Sequence, residues 1–365
     1  MNLSFQSFVR CISLSTAGVH AYRKMSKNIL SVERVQCDSI DLVRPVPAGV
    51  GAAISHTQLG AKFEPSNHRQ TSADLEEQIN KVWETKCAQN PRLYNGSKFR
   101  LNGWKVSRGK WILNIGLTSY KDLCGTNLSP NSQWIQEKGT KNFGNPQAYM
   151  SDPVGVGLVL ITSDGFLVLT RRAYWTGEYP GALDVPGGHP EPQRIFKDDG
   201  TLKPEFGASN VDDVVLQEVW SSAAQEAVDE LGVSREQMSE LTFLGIDLNM
   251  DAGGRPSLGF YARLSLSSDQ VREVYSRGVQ DEADESSELF LVSPETLARL
   301  PHLLRLPRES SPPSGVPREG FVTLPEGERR AGKEVEEAIR VVEEATPSLR
   351  GALLLTHYHS LLPLV

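Results

Sequence analysis

The feature that most constrains the fold is a pair of apolar runs, "GVGLVLITSDGFLVLTRR", at positions 155–172. The runs meet at a Ser-Asp-Gly triplet at 163–165, and Asp and Gly tolerate the positive φ that a tight turn requires. This stretch therefore predicts an antiparallel β-hairpin. Three further strands are predicted, at 241–250, 256–267 and 287–293.

A long helix is predicted between the hairpin and those later strands. The run "DDVVLQEVWSSAAQEAVDEL" at 212–231 has helical periodicity, and Gly232 follows it as a C-cap. Its predicted buried side comprises Val215, Val219, Ser222, Ala223, Ala227 and Leu231.

Two glutamates of this helix form a candidate metal site. Glu226 and Glu230 are four residues apart, so they project from one face of the helix one turn apart, with Asp229 beside them. Like charges at this spacing destabilise an isolated helix by a few tenths of a kcal/mol, roughly. A hard divalent cation such as Mg²⁺ would offset that cost, because it prefers carboxylate oxygen and water. The alternative is a solvated acidic face.

Composition excludes several classes of protein. The net charge of −7 over 365 residues argues against a nucleic-acid partner. No stretch reaches the roughly 18–20 apolar residues of a membrane helix, so no membrane partner is predicted. The four scattered cysteines (Cys11, Cys37, Cys87 and Cys124) favour a reduced, intracellular protein. The sequence carries no signal for an oligomeric state.

The predicted location is the cytosol or nucleus, with the mitochondrion as the alternative if residues 1–24 act as a transit peptide. The first 32 residues are basic and rich in serine, with no acid before Glu33. The chain is predicted to begin with an extension, disordered or targeting, at 1–35, followed by an N-terminal α+β domain at 70–150 and a second domain at 151–300. A Pro/Glu-rich insert or linker is predicted at 301–340, and a C-terminal segment at 341–365 is expected to pack back on the second domain.

In the N-terminal domain, "SADLEEQINKVWETKCAQ" at 72–89 predicts a helix capped by Ser72. The apolar run at 110–120 predicts a buried strand.

A paired-glycine turn precedes the acidic helix. The stretch "LDVPGGH" at 183–189 ends a predicted strand, and glycines allow main chain to approach other groups closely. The turn and the acidic helix together resemble the signature of Nudix hydrolases, which bind a divalent metal and cleave nucleoside diphosphate derivatives. Glu226, Glu230, Gly232 and Val233 match that signature, whereas Gln225 and Asp229 replace an arginine and a glutamate.

The signature is also divided. Residues 193–216 separate its two halves, and its early glutamate is either Glu191 or Glu218.

More of the chain resembles one branch of that superfamily, the animal UDP-glucose/UDP-galactose pyrophosphatases. The matching segments are "WETK", "KFRL", "GLTSYKDLCGTN", "QAYMSDPVGVG", "DVPGGHPEP", "SSAAQEAVDE" and "TPSLRGALLL". The branch has the same insertion and the same Gln and Asp. The resemblance implies a Nudix α/β/α sandwich with a smaller N-terminal α+β domain. It also implies hydrolysis of UDP-glucose or UDP-galactose to UMP and hexose 1-phosphate with Mg²⁺, or with Mn²⁺ as the alternative.

The resemblance further implies the site residues. The metal ligands and catalytic residues would be Glu226 and Glu230, and the substrate contacts would be Tyr94, Tyr120, Arg172, Gly177, Asp184, His189, Glu191 and Ser348. Tyr94 is expected to stack on uracil, and Arg172 to bind the diphosphate. Arg171 is the rival of Arg172, because strand neighbours point to opposite faces. Ser348 has a second interpretation, as a helix cap.

Two other functions are compatible with the sequence. One is a Nudix hydrolase for another nucleotide, such as ADP-ribose, because neither the Gly-Gly turn nor the acidic helix specifies uracil. The other is a non-catalytic nucleotide-sugar-binding protein.

Overall fold

A computed structural model gives the conformation of most of the chain. It describes residues 31–37, 39–46, 54–107, 110–197, 200–207, 209–278, 280, 282, 285–304, 333–359 and 361. Residues 1–30, most of the predicted extension, lie outside the described residues, and so does the bulk of the predicted insert. No helix among the described residues combines the length and the apolar character needed to cross a membrane.

The strands fall into a large sheet and a small one. They are β1 (Ser31–Cys37), β2 (Ile40–Val46), β3 (Leu59–Phe63), β4 (Ser97–Ser107), β5 (Lys110–Ser119), β6 (Gly155–Ile161), β7 (Leu167–Arg172), β8 (Leu183–Asp184), β9 (Gly187–Gly188), β10 (Thr242–Asn249), β11 (Arg255–Arg263) and β12 (Ser286–Val292).

The α-helices are α1 (Ala73–Gln89), α2 (Tyr120–Gly125), α3 (Ser132–Phe143), α4 (Pro192–Ile195), α5 (Val211–Leu231), α6 (Ser268–Ser276), α7 (Pro294–Leu297), α8 (Leu300–Leu303), α9 (Lys333–Glu344) and α10 (Pro347–Tyr358). Short 3₁₀ turns occupy His56–Gln58, Pro65–Asn67, Pro204–Phe206, Arg235–Gln237 and Met250–Ala252.

The large sheet has the strand order β1-β2-β10-β11-β6-β7-β12, with β8 paired to β7 and β9 paired to β6. The pairing of β11 with β6 is parallel, and the other pairings described in this sheet are antiparallel. The predicted hairpin at 155–172 is confirmed as β6 and β7, in which Leu160 is opposite Val168. The three later strands are confirmed as β10, β11 and β12.

Both faces of the large sheet are covered by helices. Leu158 and Leu160 face a core that includes α5, whereas Val159 and Ile161 face a core that includes α7 to α10. Successive side chains of a strand point to opposite faces, so a strand buried on both sides reads as one continuous apolar run. The α/β/α sandwich predicted from the sequence is confirmed.

The small sheet belongs to an N-terminal α+β layer with helices α1, α2 and α3. Its order is β3-β5-β4, with β3 parallel and β4 antiparallel to β5. Its apolar residues Phe99, Trp111 and Ile115 join the same core as α5. Helix α5 therefore packs in a core that residues of both sheets share.

Three sequence predictions need correction. The predicted boundary at residue 35 falls inside β1, and β2 joins the large sheet through β10. Ser72 is the N-cap residue of α1, as predicted, but its side chain makes no capping bond; its hydroxyl accepts from the Lys138 ammonium at 2.9 Å. Residues 333–340 of the predicted insert belong to the helix α9, which continues to Glu344 and buries the side chains of Val335, Ala338, Val341 and Val342.

The C-terminal helix α10 packs directly on strands β10 and β11. A Cβ added at Gly351 would lie 2.5 Å from Cβ of Asp247, so only glycine permits this approach of helix to sheet. The start of the helix is tied to β8, because the Thr346 N–H donates to the Leu183 carbonyl oxygen at 2.9 Å. The C-terminal segment thus returns to the edge of the sheet that carries the paired-glycine turn.

Candidate active site

Three glutamates converge at one end of helix α5. Single carboxylate oxygens of Glu226, Glu230 and Glu282 all lie within 4.8 Å of one another. The first two are one turn apart on α5, as predicted, and Glu282 precedes strand β12. Asp229 is directed elsewhere, because it accepts from the Gln225 side-chain amide at 2.7 Å. The predicted C-cap Gly232 is confirmed in the left-handed conformation.

Main chain and a strand side chain hold these carboxylates in place. Glu230 accepts the Gly187 N–H at 3.0 Å and the Thr170 hydroxyl at 3.2 Å. A Cβ added at Gly188 would lie 2.5 Å from Oε1 of Glu226. The paired glycines are therefore required because their backbone lies directly against the carboxylate cluster.

Burial and mutual repulsion disfavour the charged form of all three groups. Burial, then the charges of Glu282 and Asp229, raise the pKa of Glu226 to about 8. Burial also raises the pKa of Glu230 well above its usual range, although the hydrogen bond from the Gly187 N–H acts to lower it. The pKa of Glu282 rises to about 7, through burial and then the nearby Glu285 and Asp229.

This donor set fits a hard divalent cation. Three carboxylates held close together repel one another, and no side-chain cation forms an ion pair with Glu226, Glu230 or Glu282 among the described residues. Mg²⁺ and Mn²⁺ favour carboxylate oxygen, and a bound cation would remove the repulsion.

Glu191 and Glu218 connect the paired-glycine turn to α5. The buried Glu218 accepts the Glu191 N–H at 3.2 Å and the Ser222 hydroxyl at 3.2 Å. The Glu191 side chain binds Arg194 at 3.2 Å instead. Neither glutamate belongs to the cluster of three, although the charge of Glu191 acts on Glu282.

Arg172 and Arg171 lie on opposite faces of β7. Arg172 is on the same side as Thr170; its Nε donates to the Glu178 carbonyl oxygen at 3.0 Å, and its guanidinium lies 3.9 Å from Asp184. Arg171 points to the opposite layer, where it pairs with Glu288 at 2.8 Å and Glu344 at 2.7 Å. Arg172 is therefore the arginine on the side of the carboxylates, and Arg171 joins elements of the fold.

Asp184 and His189 bracket the paired-glycine turn and are both largely buried. Burial raises the pKa of Asp184, although the charge of Arg172 and a hydrogen bond with Thr346 act to lower it. Burial, with the charges of Lys98, Arg255 and Arg172, holds the pKa of His189 well below its usual range. Nε2 of His189 is buried without a hydrogen-bond partner, so the neutral ring has one nitrogen free for a ligand.

The start of helix α10 lies beside Asp184. Thr346, and not Ser348, caps this helix, since its hydroxyl accepts the Leu349 N–H at 3.0 Å. Ser348 lies in the first turn, 3.1 Å from the Ser257 hydroxyl of β11. The cap interpretation of Ser348 is therefore wrong, and its hydroxyl faces a strand end.

The two predicted tyrosines belong to the N-terminal layer. Tyr120 is packed edge-on against Trp83, and a Cβ added at Gly177 would lie 3.3 Å from its hydroxyl. Burial and the neighbouring Cys124 raise the pKa of Tyr120 to about 12. Tyr94 is 74% exposed, so its ring is open to solvent. The structure thus brings Tyr120 and Gly177 together and leaves Tyr94 on the surface.

Two charged groups near the cluster, Glu282 and Lys98, were not among the predicted site residues. Glu282 comes from the acidic stretch "QDEADESSE" that precedes β12, and this density of acids close to a strand was the available signal. Lys98 lies on β4, where the charges of Glu191 and Glu226 act on it, and an isolated lysine in a strand gives no signal in one sequence. Of the cysteines whose side chains are described, Cys87 and Cys124 are free thiols.

Curated proteins include several relatives of this chain, whereas no family model matches it. The chain is 38% identical to uridine diphosphate glucose pyrophosphatase NUDT22 of Homo sapiens over 255 residues, which cover 68% of this chain and 82% of the relative. The Bos taurus protein of the same name is 36% identical, with coverage of 72% and 89%.

A plant protein extends these similarities. Nudix hydrolase 9 of Arabidopsis thaliana is 33% identical, over 67% of this chain and 81% of its own. A solved Nudix hydrolase from M. smegmatis, RenU, covers 40% of this chain and 71% of its own at 17% identity and a TM-score of 0.22, too little to carry an argument. Relatives of this identity and coverage, together with the carboxylate cluster beside a paired-glycine turn, show that the chain belongs to the Nudix hydrolase family.

Proposed function

We propose that this Nudix diphosphatase hydrolyses UDP-glucose or UDP-galactose, with Mg²⁺ as its metal, to UMP and the hexose 1-phosphate. The observation that carries the proposal is the group of three glutamates within 4.8 Å against the backbone of Gly187 and Gly188. The choice of uridine and hexose is supported by the mammalian relatives at 38% and 36% identity, which are named uridine diphosphate glucose pyrophosphatase.

Glu226, Glu230 and Glu282 would hold the cation, and Mn²⁺ is the alternative to Mg²⁺. A bound divalent cation neutralises diphosphate charge and polarises a phosphoryl oxygen. Because the protein is acidic overall, with a net charge of −7, it needs such local positive charge to bind a diphosphate.

The remaining predicted residues would bind and orient the substrate. Arg172 offers paired N–H donors to a phosphate, and the neutral ring of His189 has a free nitrogen. Asp184 and Ser348 carry oxygens that can bond sugar hydroxyls. Tyr94, whose ring is exposed, would stack on uracil, and Tyr120 would add a second aromatic contact.

The test is product analysis with UDP-glucose and Mg²⁺ in ¹⁸O-labelled water. We expect UMP and glucose 1-phosphate, with ¹⁸O on a phosphate of one product, because water attacks phosphorus. UDP and glucose as products would contradict cleavage of the diphosphate. Faster turnover of ADP-ribose than of UDP-glucose would contradict the proposed substrate, and tight binding of UDP-glucose without turnover would indicate a non-catalytic role.

A further inference from the structure

We propose that Glu178 and Tyr179 are positioning residues that hold the guanidinium of Arg172 in the orientation that binds the diphosphate. Both residues lie in the loop 173–182, which joins β7 to β8. The inference rests on the proposed function and deepens it, because it identifies what orients the arginine proposed to bind phosphate.

The side chain of Arg172 is bonded to the main chain of this loop. Its Nε donates to the Glu178 carbonyl oxygen at 3.0 Å, and the same oxygen accepts the Thr176 hydroxyl at 3.2 Å. A guanidinium is planar and carries its donors in a fixed fork, so a bond at Nε fixes the plane and leaves both terminal nitrogens for a ligand. The orientation of Arg172 therefore depends on the position of one peptide unit, that between Glu178 and Tyr179.

The side chains on either side of that peptide unit attach it to the large sheet. The Glu178 carboxylate pairs with the guanidinium of Arg255 on β11. The Tyr179 hydroxyl accepts from the side-chain amide of Asn249 on β10 at 2.7 Å. Asn249 and Arg255 are directly opposite each other in the pairing of β10 with β11. Two adjacent loop residues thus bind one cross-strand pair, and this double attachment locates the carbonyl oxygen that Arg172 binds.

The backbone of Tyr179 has an unfavourable conformation. Its φ is +46°, in the left-handed region that a residue with a Cβ rarely adopts. Such a conformation persists only where the surrounding structure imposes it, and it is most frequent at functional sites. Glycine adopts this φ without strain but cannot make the bond to Asn249. We infer that the attachment of the ring is what keeps this turn, and with it the Glu178 carbonyl oxygen, in place.

Two other roles would give different results in a double-mutant cycle with Arg172. If Glu178 or Tyr179 contacted the substrate directly, its substitution would weaken binding equally with and without Arg172. If the two residues only stabilised the fold, substitution would lower the melting temperature and leave the affinity of the folded protein unchanged. A positioning role predicts coupling, because the attachment has no effect on binding once the arginine is gone.

The experiment introduces Tyr179→Phe and Glu178→Asp separately into the wild type and into Arg172→Gln. Tyr179→Phe removes only the hydroxyl, and Glu178→Asp keeps the charge but shortens the attachment to Arg255. Tyr174→Phe is the matched control, since Tyr174 lies in the same loop and is 74% exposed. Titration calorimetry with UDP and Mg²⁺ measures the affinity, and thermal melting shows that each variant is folded.

We expect each substitution to weaken UDP binding about 3- to 10-fold when Arg172 is present, from the typical net strength of one hydrogen bond. In the Arg172→Gln background the same substitutions should change the affinity less than about twofold. The Tyr174→Phe variant should bind UDP as the wild type does.

Wild-type UDP affinity in folded Tyr179→Phe and Glu178→Asp protein would overturn the proposal, and so would an equal loss of affinity in the two backgrounds. Wild-type protein that does not bind UDP would also overturn it. Because the readout is binding, it is separable from the proposed reaction. Protein that shows the coupling but does not hydrolyse UDP-glucose would refute the reaction and retain the positioning role.

Discussion

The backbone N–H of Glu282 donates to the carbonyl oxygen of Asp229 at 2.9 Å. This bond fixes the segment before β12 to the last turn of α5, one residue from Glu230. The third carboxylate of the cluster is thus held by the helix that carries the other two, although it comes from a distant part of the sequence.

Substitution of Glu282 by Gln should weaken metal binding. The change keeps the size of the side chain and removes one negative charge, so we expect at least about a tenfold rise in the Mg²⁺ concentration that gives half-maximal activity. Metal titration of UDP-glucose hydrolysis measures this. Glu273→Gln, on the exposed face of α6, is the control and should leave the metal requirement unchanged. If both variants needed the same Mg²⁺ concentration for half-maximal activity, Glu282 would not be a metal ligand.

Glu230→Gln should abolish hydrolysis without unfolding the protein. Its amide oxygen can still accept the Gly187 N–H and its NH₂ group can donate to Thr170, so the melting temperature should change little. We expect kcat to fall at least about 10³-fold, the equivalent of several kcal/mol of metal-derived stabilisation. Kinetic assays of UDP-glucose hydrolysis measure this, with Glu240→Gln, at an exposed position, as the control. Undiminished turnover would disprove the assignment of Glu230 to the metal.

The two arginines of β7 should separate binding from stability. Arg172→Gln is expected to raise KM for UDP-glucose about 10-fold or more, because a charged donor to phosphate is lost. Arg171→Gln is expected to leave KM unchanged and to lower the free energy of unfolding by about 1–3 kcal/mol, since it breaks bonds to Glu288 and Glu344. Kinetics and urea unfolding on both variants test the pair. The reverse pattern would make Arg171 the phosphate ligand.

A buried carboxylate away from the candidate site should make stability depend on pH. Burial raises the pKa of Asp152 to about 7, against the charge of Arg100 and a bond from Asn127. The guanidinium of Arg100 lies 3.8 Å from the Asp152 carboxylate and donates its hydrogen bonds to neutral oxygens, those of Met150, Asn67, Asn102 and Gln147. The unfolded chain releases the Asp152 proton near pH 3.8 and the folded protein near 7, so the free energy of unfolding falls as pH rises between those values.

Asp152→Asn should remove the part of the fall in the free energy of unfolding with rising pH that the Asp152 carboxyl causes. Relative to the wild type, we expect the variant to gain about 2 kcal/mol of stability between pH 5 and pH 8. Urea unfolding at the two pH values measures the difference, with exposed Asp213→Asn as the control. A constant difference between Asp152→Asn and wild type across this range would show that the Asp152 carboxyl is already ionised at pH 5.

The sequence predicts the elements and the helix-borne part of the site because these depend on local pattern. Helix α5 begins at Val211, one residue from its predicted start, and the spacing of Glu226 and Glu230 alone places them one turn apart. Glu282 and Lys98 could not be found in this way, because their positions depend on a backbone bond to Asp229 and on the packing of a separate sheet. The hydrogen bond of the Ser72 hydroxyl could not be predicted for the same reason, since its donor is Lys138 from another helix.

The close packing of helix α10 on the sheet has a consequence for the order in which the protein matures. The carboxylates of α5 and the Gly-Gly turn are near one another along the chain, whereas Thr346 and Ser348 reach Asp184 and Ser257 only after a long loop has closed. Loop closure costs conformational entropy before the new contacts compensate for it. We therefore expect the proposed metal ligands of α5 to meet the Gly-Gly turn before α10 packs beside Asp184, so that a chain still being synthesised would bind the cation earlier than the substrate.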